Sequence, residues 1–390
     1  MRICFVCPSV VNPQAGGVER ITHALASFLE SRGYSLMFLA CGRGDQGTDP
    51  RQYLVPEILI NDSDGLARYM RGFLTDHRVE VVINQAATNI QLCKILYRSL
   101  PTGIRVVAVI HNSPSGTSAH YGSVHEHRIM RAGMGLLVPL IKSRAASLVF
   151  QTLYKMKYRS HYRSVVKHSD CVVVFVERYK YELSLLIGRV PSTRIVSIAN
   201  FLDFHNKSNH EKYKEVLYVG RLNVTQKRVD ILLRVWRHVQ DSFPDWSLII
   251  VGDGEDRTEL EALATRLGAR NLKFLGRADP QANYTKASVF CMTSTYEGFP
   301  LTLIEAMHFG LVPIAFDSFG AARDIIQSGV DGCLVTPFLV DEYAASLSSL
   351  LSDAARRERM AAAARQSSTR YSAESIGESW IRLLSSLKAG

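Results

Sequence analysis

Four consecutive apolar residues, Val289-Phe290-Cys291-Met292, open the stretch 288–310 and constrain the fold more than any other feature. So short an apolar run, bounded by polar residues, reads as a buried strand. A polar turn from Thr293 to Phe299 follows, with Gly298 inside it. Pro300 stands where a helix begins, since its missing N–H costs nothing at the first helical position. Leu301, Ile304 and Met307 then recur at helical spacing, and Gly310 stops the helix. The free N–H groups of a first helical turn and its dipole favour an anion there, and Gly298 lets backbone approach a ligand.

The order strand, turn, helix repeats along the chain, which is the pattern of a parallel α/β sheet. In the first half, strands are predicted over 2–7, 35–41, 79–84, 104–110, 171–176 and 193–198, with helices over 18–32, 65–76 and 90–99. The loop before the first helix ends in Gly16-Gly17, and the strand 104–110 leads into His111, where parallel sheets bind ligands. Residues 200–215 are polar and without periodicity, which marks a linker. The pattern then restarts: strands over 216–219, 246–251, 271–275, 289–292, 312–316 and 333–335, and helices over 229–241, 341–351, 353–365 and 371–388. The fold class is therefore α/β with two Rossmann-like parallel-sheet domains, 1–199 and 216–370.

The turns after the second set of strands carry the chemistry. Gly220-Arg221 ends one strand and Lys227 follows, so two fixed cations stand where a diphosphate could be neutralised. Glu297 and Glu305 frame the helix start at Pro300. Carboxylates are poor partners for phosphate and good acceptors for sugar hydroxyls. Phosphate on a helix end and hydroxyls on carboxylates together suggest a nucleotide-sugar.

The run E-G-F-P-L-T-L-I-E-A-M from Glu297 resembles the E-x7-E motif of retaining glycosyltransferases of family 4, which have the GT-B fold. A-G-G-V-E-R resembles the family's first loop, and V-G-R-L followed by Lys227 resembles its diphosphate clamp. Where the family often has glycine after this lysine, the chain has Arg228. The resemblance covers nearly all of the second domain and the first loop of the N-terminal one. It implies domains facing across a cleft, with 371–390 crossing back to the first domain. It implies a metal-independent transfer from a nucleotide-sugar, with no cofactor. Arg221 and Lys227 would stabilise the leaving diphosphate, and Glu297 and His111 would hold the hexose. Gly16, Gly17, Gly220, Arg277, Gly298, Phe299, Pro300, Leu301 and Glu305 would complete the donor site. Family frequency implies a UDP-linked hexose or N-acetylhexosamine, and a saccharide or lipid-linked saccharide acceptor, as in surface-polysaccharide assembly. A sugar-nucleotide epimerase of the same fold, or a non-catalytic basic binding protein, are the alternatives.

Charge and cysteine usage narrow the surroundings. The 390 residues carry a net charge of +10, and no acid occurs from His127 to Ser169, where nine lysines and arginines are interleaved with apolar residues. Such a helical segment fits an anionic membrane surface, an ordinary helix with apolar stems, or a nucleic-acid patch; no nucleic-acid motif supports the last, and no nucleic-acid partner is expected. No apolar run approaches the ~18 residues of a membrane span. The apolar start reads as a first strand, and a cytoplasmic place, on or near the inner face of the plasma membrane, is expected. Seven scattered cysteines suit a reducing compartment; Cys4 and Cys7 point to opposite faces of one strand and read as core. Asp62-Ser63-Asp64 has the spacing of a metal-chelating motif, but it precedes a helix, and Asp64 reads as its cap. No metal site is expected.

Overall fold

The computed structural model describes residues 1–389 except 43–48, 189–193 and 202–210. The middle of the expected linker 200–215 and the first residue of the strand 193–198 lie outside the described residues. Strands β1 (Arg2–Cys7), β2 (Ser35–Ala40), β3 (Gln52–Leu54), β4 (Val81–Asn84), β5 (Arg105–Val109), β6 (Cys171–Val174) and β7 (Ile195–Ser197) form one sheet, in the order β3-β2-β1-β4-β5-β6-β7. Strands β8 (Glu215–Val219), β9 (Ser247–Val251), β10 (Leu272–Gly276), β11 (Val289–Met292), β12 (Val312–Phe316) and β13 (Cys333–Val335) form the other, in the order β10-β9-β8-β11-β12-β13. Every pairing between these strands is parallel.

Both orders reverse beside their first strand, between β1 and β4 and between β8 and β11. At such a switch point neighbouring connections leave in opposite directions and open a crevice at the strands' carboxyl ends. The central strands are buried along their length, as parallel strands with helices on both faces must be. All of β4, β11 and β12 is buried, as is all of β1 beyond Arg2.

One compact unit comprises Met1–Pro114, Tyr154–Asp203 and Ser372–Gly390. Its first helix, Gly17–Ser31, lies against the last, Ala373–Ala389. Gly377 makes that approach possible: a Cβ there would fall 2.2 Å from the Phe28 ring. Arg32 pairs with Glu378 at 2.7 Å, and Trp380 and Leu384 are buried. At the helix Ser63–Asp76 the cap is Asp62, and not the expected Asp64. Its carboxylate accepts from the Asp64 and Gly65 N–H groups, because an N-cap side chain must precede the donors it satisfies.

The other unit comprises Ser115–Leu153 and Phe204–Tyr371. This differs from the boundary at 199 read from the sequence, because residues 115–153 pack with the second sheet. His120 Nε2–H donates to the Ser318 carbonyl at 2.7 Å. Arg131 pairs with Asp256 at 3.2 Å and with Glu259, while His127 lies 3.2 Å from Glu259. Arg228 reaches Glu126 at 3.4 Å. The helix Val229–Val239 is the amphipathic anchor of this unit, with Ile231, Leu232, Val235, Trp236 and Val239 all in the core. The Trp236 indole is fully buried, and its N–H is satisfied by the Arg270 carbonyl at 2.8 Å.

Candidate functional site

β8 ends at the switch point of its sheet, and Gly220 and Arg221 follow it. Gly220 donates its N–H to Val251 of the neighbouring strand at 3.0 Å. Gly252, at φ +135°, continues that strand; a Cβ there would lie 1.9 Å from the Gly220 carbonyl, so the two strand ends meet only because Gly252 has no side chain. The Tyr218 hydroxyl donates to the Arg221 carbonyl at 2.9 Å. Arg221 itself is exposed at the start of the loop.

That loop closes on itself through Asn223, whose carbonyl accepts from the Lys227 and Arg228 N–H groups at 3.0 and 3.2 Å. Arg228 completes the turn in the left-handed region, φ +51° and ψ +43°. A glycine would suit that backbone, and the arginine tolerates it because its buried guanidinium is held by Asp230 at 3.1 Å and Glu126 at 3.4 Å. Arg228 is therefore a structural anchor in this structure, and its charge is already matched.

The loop after β11 is fastened to the same turn. Thr295 N–H donates to the Gln226 carbonyl at 2.7 Å. The buried Thr293 hydroxyl lies 3.0 Å from both the Lys227 and the Arg228 carbonyls. The Gln226 side-chain amide donates to the Tyr296 carbonyl at 3.2 Å. These bonds bring two predicted residues together: Lys227 Nζ donates to Glu297 Oε1 at 2.6 Å. The lysine side chain is 19% exposed and the glutamate 8%, so the pair is largely shielded yet reachable. Burial, with the Glu297 charge adding to it, pushes the nearby Tyr218 hydroxyl well above its ordinary pKa, so it stays neutral.

Gly298, Phe299, Pro300 and Leu301 are all buried. Pro300 is the N-cap of the helix Leu301–His308, so the helix starts one residue later than the sequence suggests. Phe299 packs edge-on against Tyr371, centroids 5.3 Å apart. Glu305 is buried, and its Oε2 accepts from the Tyr284 hydroxyl at 2.8 Å. Arg277 is exposed just beyond β10.

In the first unit, Gly16 caps and Gly17 opens the helix Gly17–Ser31. Gly16 is extended, a conformation open to any residue; its size matters because a Cβ would meet Glu19 Oε2 at 2.7 Å. The Glu19 carboxylate also accepts from the Ser9 hydroxyl at 3.1 Å. A carboxylate thus already lies at this helix N-terminus, a residue the sequence reading passed over. His111 leaves the carboxyl end of β5, and its Nε2–H donates to Gln85 Oε1 from the end of β4. Burial lowers the His111 pKa to about 4, so the ring is neutral at neutral pH. Gln85 is a second residue that no motif marks; a polar residue directly after a buried strand at a switch point is its signal.

A cation and a carboxylate thus meet at the switch point of a parallel sheet. Residues 200–367 match the family described as glycosyl transferases group 1, and residues 15–206 match glycosyltransferase family 4. Together the two matches run from residue 15 to residue 367 and identify glycosyltransferase domains in both halves of the chain. It is 32% identical over 219 residues to an uncharacterized glycosyltransferase of Haemophilus influenzae, a match covering 55% of this chain and 61% of that protein. It is 29% identical over 266 residues, 66% of this chain and 71% of the other, to a Campylobacter jejuni α-1,4-N-acetylgalactosaminyltransferase whose name specifies a polyprenyl-diphosphate-linked (PP-undecaprenol) saccharide. The fold matches that of Anabaena HepE, solved with UDP and glucose, at a TM-score of 0.74 and 18% identity over 99% of this chain and 100% of that one. The chain thus spans about three fifths of the Haemophilus relative's length and about seven tenths of the Campylobacter relative's.

Proposed function

We propose that this protein is a retaining, metal-independent glycosyltransferase. It moves a hexose or N-acetylhexosamine from a UDP-sugar to a lipid-linked saccharide in surface-polysaccharide synthesis, in the cytoplasm at the inner face of the membrane. The observation that carries the reading is the Lys227–Glu297 pair, held by the interlocked loops after β8 and β11. The lipid-linked acceptor rests on the Campylobacter relative's name, and UDP on the Anabaena structure.

In this reading the donor diphosphate lies over the loop 220–227. Lys227 and Arg221 share its charge, which grows as the bond from the anomeric carbon to the phosphate oxygen breaks. Two cations do there what a metal ion does in other transferases. Glu305 accepts the ribose hydroxyls, and Glu297 faces the sugar. The acceptor oxygen bonds to the anomeric carbon on the face the phosphate leaves, and its proton passes to an oxygen of the departing UDP. His111, being neutral, contributes a hydrogen bond and no charge.

The test is incubation with UDP-sugars and a polyprenyl-diphosphate oligosaccharide in EDTA. The expected result is UDP release matched by a longer saccharide whose new bond keeps the donor's anomeric configuration. An inverted linkage, or turnover that needs added metal, overturns the mechanism. An isomerised UDP-sugar with no acceptor consumed would make the protein an epimerase.

A further inference from the structure

The two glutamates that frame the helix Leu301–His308 are held in different ways. Glu297 meets a cation, Lys227. Glu305, only 1% exposed, meets the Tyr284 hydroxyl, which donates to its Oε2 at 2.8 Å. A phenol gives a hydrogen bond and no countercharge, so this contact aims the carboxyl group rather than neutralising it.

Tyr284 is built to be a fixed donor. It comes from the helix Gln281–Lys286 and is fully buried. Its ring lies nearly parallel to that of Phe309, with 6° between the planes and 5.7 Å between the centroids. Phe309 stands four residues after Glu305, on the same face one turn on, and its N–H donates to the Glu305 carbonyl at 3.0 Å. One tyrosine therefore rests its ring on Phe309 and turns its hydroxyl to Glu305. Its backbone is tied as well, because the Tyr284 carbonyl accepts from Lys212 Nζ at 2.9 Å. The Thr302 carbonyl, at 3.5 Å from the hydroxyl, lies at the outer limit of a hydrogen bond, so the shorter contact takes the proton.

Orientation matters at this residue more than at an exposed one. A carboxyl group so deeply buried presents little more than an edge to a ligand, and a small rotation withdraws it. A carboxylate has about four acceptor sites and can hold a phenol and a vicinal diol together when its plane is fixed. We propose that Tyr284 is the positioning residue of a ribose subsite: it holds Glu305 so that the carboxylate accepts the 2′- and 3′-hydroxyls, and the site thereby selects ribonucleoside over 2′-deoxyribonucleoside diphosphates. This rests on the reading of Glu305 as the ribose acceptor. Tyr284 acts through Glu305 and does not itself meet the ligand.

The full chain is titrated calorimetrically with UDP and with 2′-deoxy-UDP, in EDTA and well below its melting temperature. Wild type is expected to bind UDP at least about tenfold more tightly, since the deoxy ligand lacks one hydrogen bond. Tyr284→Phe keeps the ring and removes only the hydroxyl. It should weaken UDP about tenfold and 2′-deoxy-UDP by less, shrinking the preference to about two- to threefold. In transfer it should raise KM for the UDP-sugar and leave kcat within about threefold, because no group at the reacting bond is altered. Phe309→Leu leaves the hydroxyl but frees the ring; it should shrink the preference in the same direction, and it serves should Tyr284→Phe not fold. Glu305→Gln should lose the preference, and adding Tyr284→Phe to it should change the preference no further. A wild-type preference that the folded variants retain, or equal weakening of both ligands, overturns the proposal and leaves the ribose reading standing. Wild type that binds UDP and 2′-deoxy-UDP equally removes that reading and the proposal with it.

Discussion

Lys227 and Glu297 lie 70 positions apart in sequence and 2.6 Å apart in space. Lys227→Ala should abolish transfer and cost about 1–3 kcal/mol, between the values for exposed and for buried pairs. Adding Glu297→Gln should restore most of that stability and none of the activity; denaturant melts and a UDP-release assay separate the two. Arg228 sets two effects against each other. Arg228→Gly relieves a left-handed backbone worth about 1 kcal/mol but removes a buried cation from Asp230 and Glu126, worth about 3–5 kcal/mol. The net expected is a loss of about 2–4 kcal/mol on chemical denaturation. His111 has a folded pKa of about 4, below its unfolded value near 6.5. The unfolded chain therefore takes up the proton first, so stability is full above pH ~6.5 and falls as pH drops toward 4. His111→Asn should flatten the wild-type stability profile in that window. At this scale the sequence made the charged residues legible through their motifs. It hid Gln85, Glu19 and the pairing of Arg228, because hydrogen-bond partners and φ angles leave no trace in residue spacing.

The elements were legible wherever an apolar run and a helical period stood side by side. β11, β12 and β13 fall where their apolar residues place them. β3 was missed: Gln52–Leu54 is three residues long and has too little pattern to show a period. The allocation of residues 115–153 also went astray, because chain continuity says nothing of ion pairs such as Arg131 with Asp256, 125 positions on. Among these elements the junction of the two loops carries most of the candidate site's geometry. Thr293→Val keeps the side chain's shape and removes the hydroxyl that binds the Lys227 and Arg228 carbonyls. It should cost about 1–2 kcal/mol and lower turnover more than tenfold, with the fold intact by circular dichroism.

On the scale of the whole molecule, one architecture is used twice, and the loops after β1, β8 and β11 carry candidate residues where the strand orders reverse. The site at the second of these reversals is proposed to hold a nucleoside diphosphate on cations alone. Thermal melts with UDP, GDP and ADP in EDTA test it most directly, on wild type and on Lys227→Ala. At about 100 times its dissociation constant a ligand stabilises by roughly 2.7 kcal/mol, a shift easily read. UDP is expected to raise the wild-type melting temperature and to leave that of Lys227→Ala unmoved. A shift of equal size in the variant, or none with any nucleotide until a divalent metal is added, would contradict it.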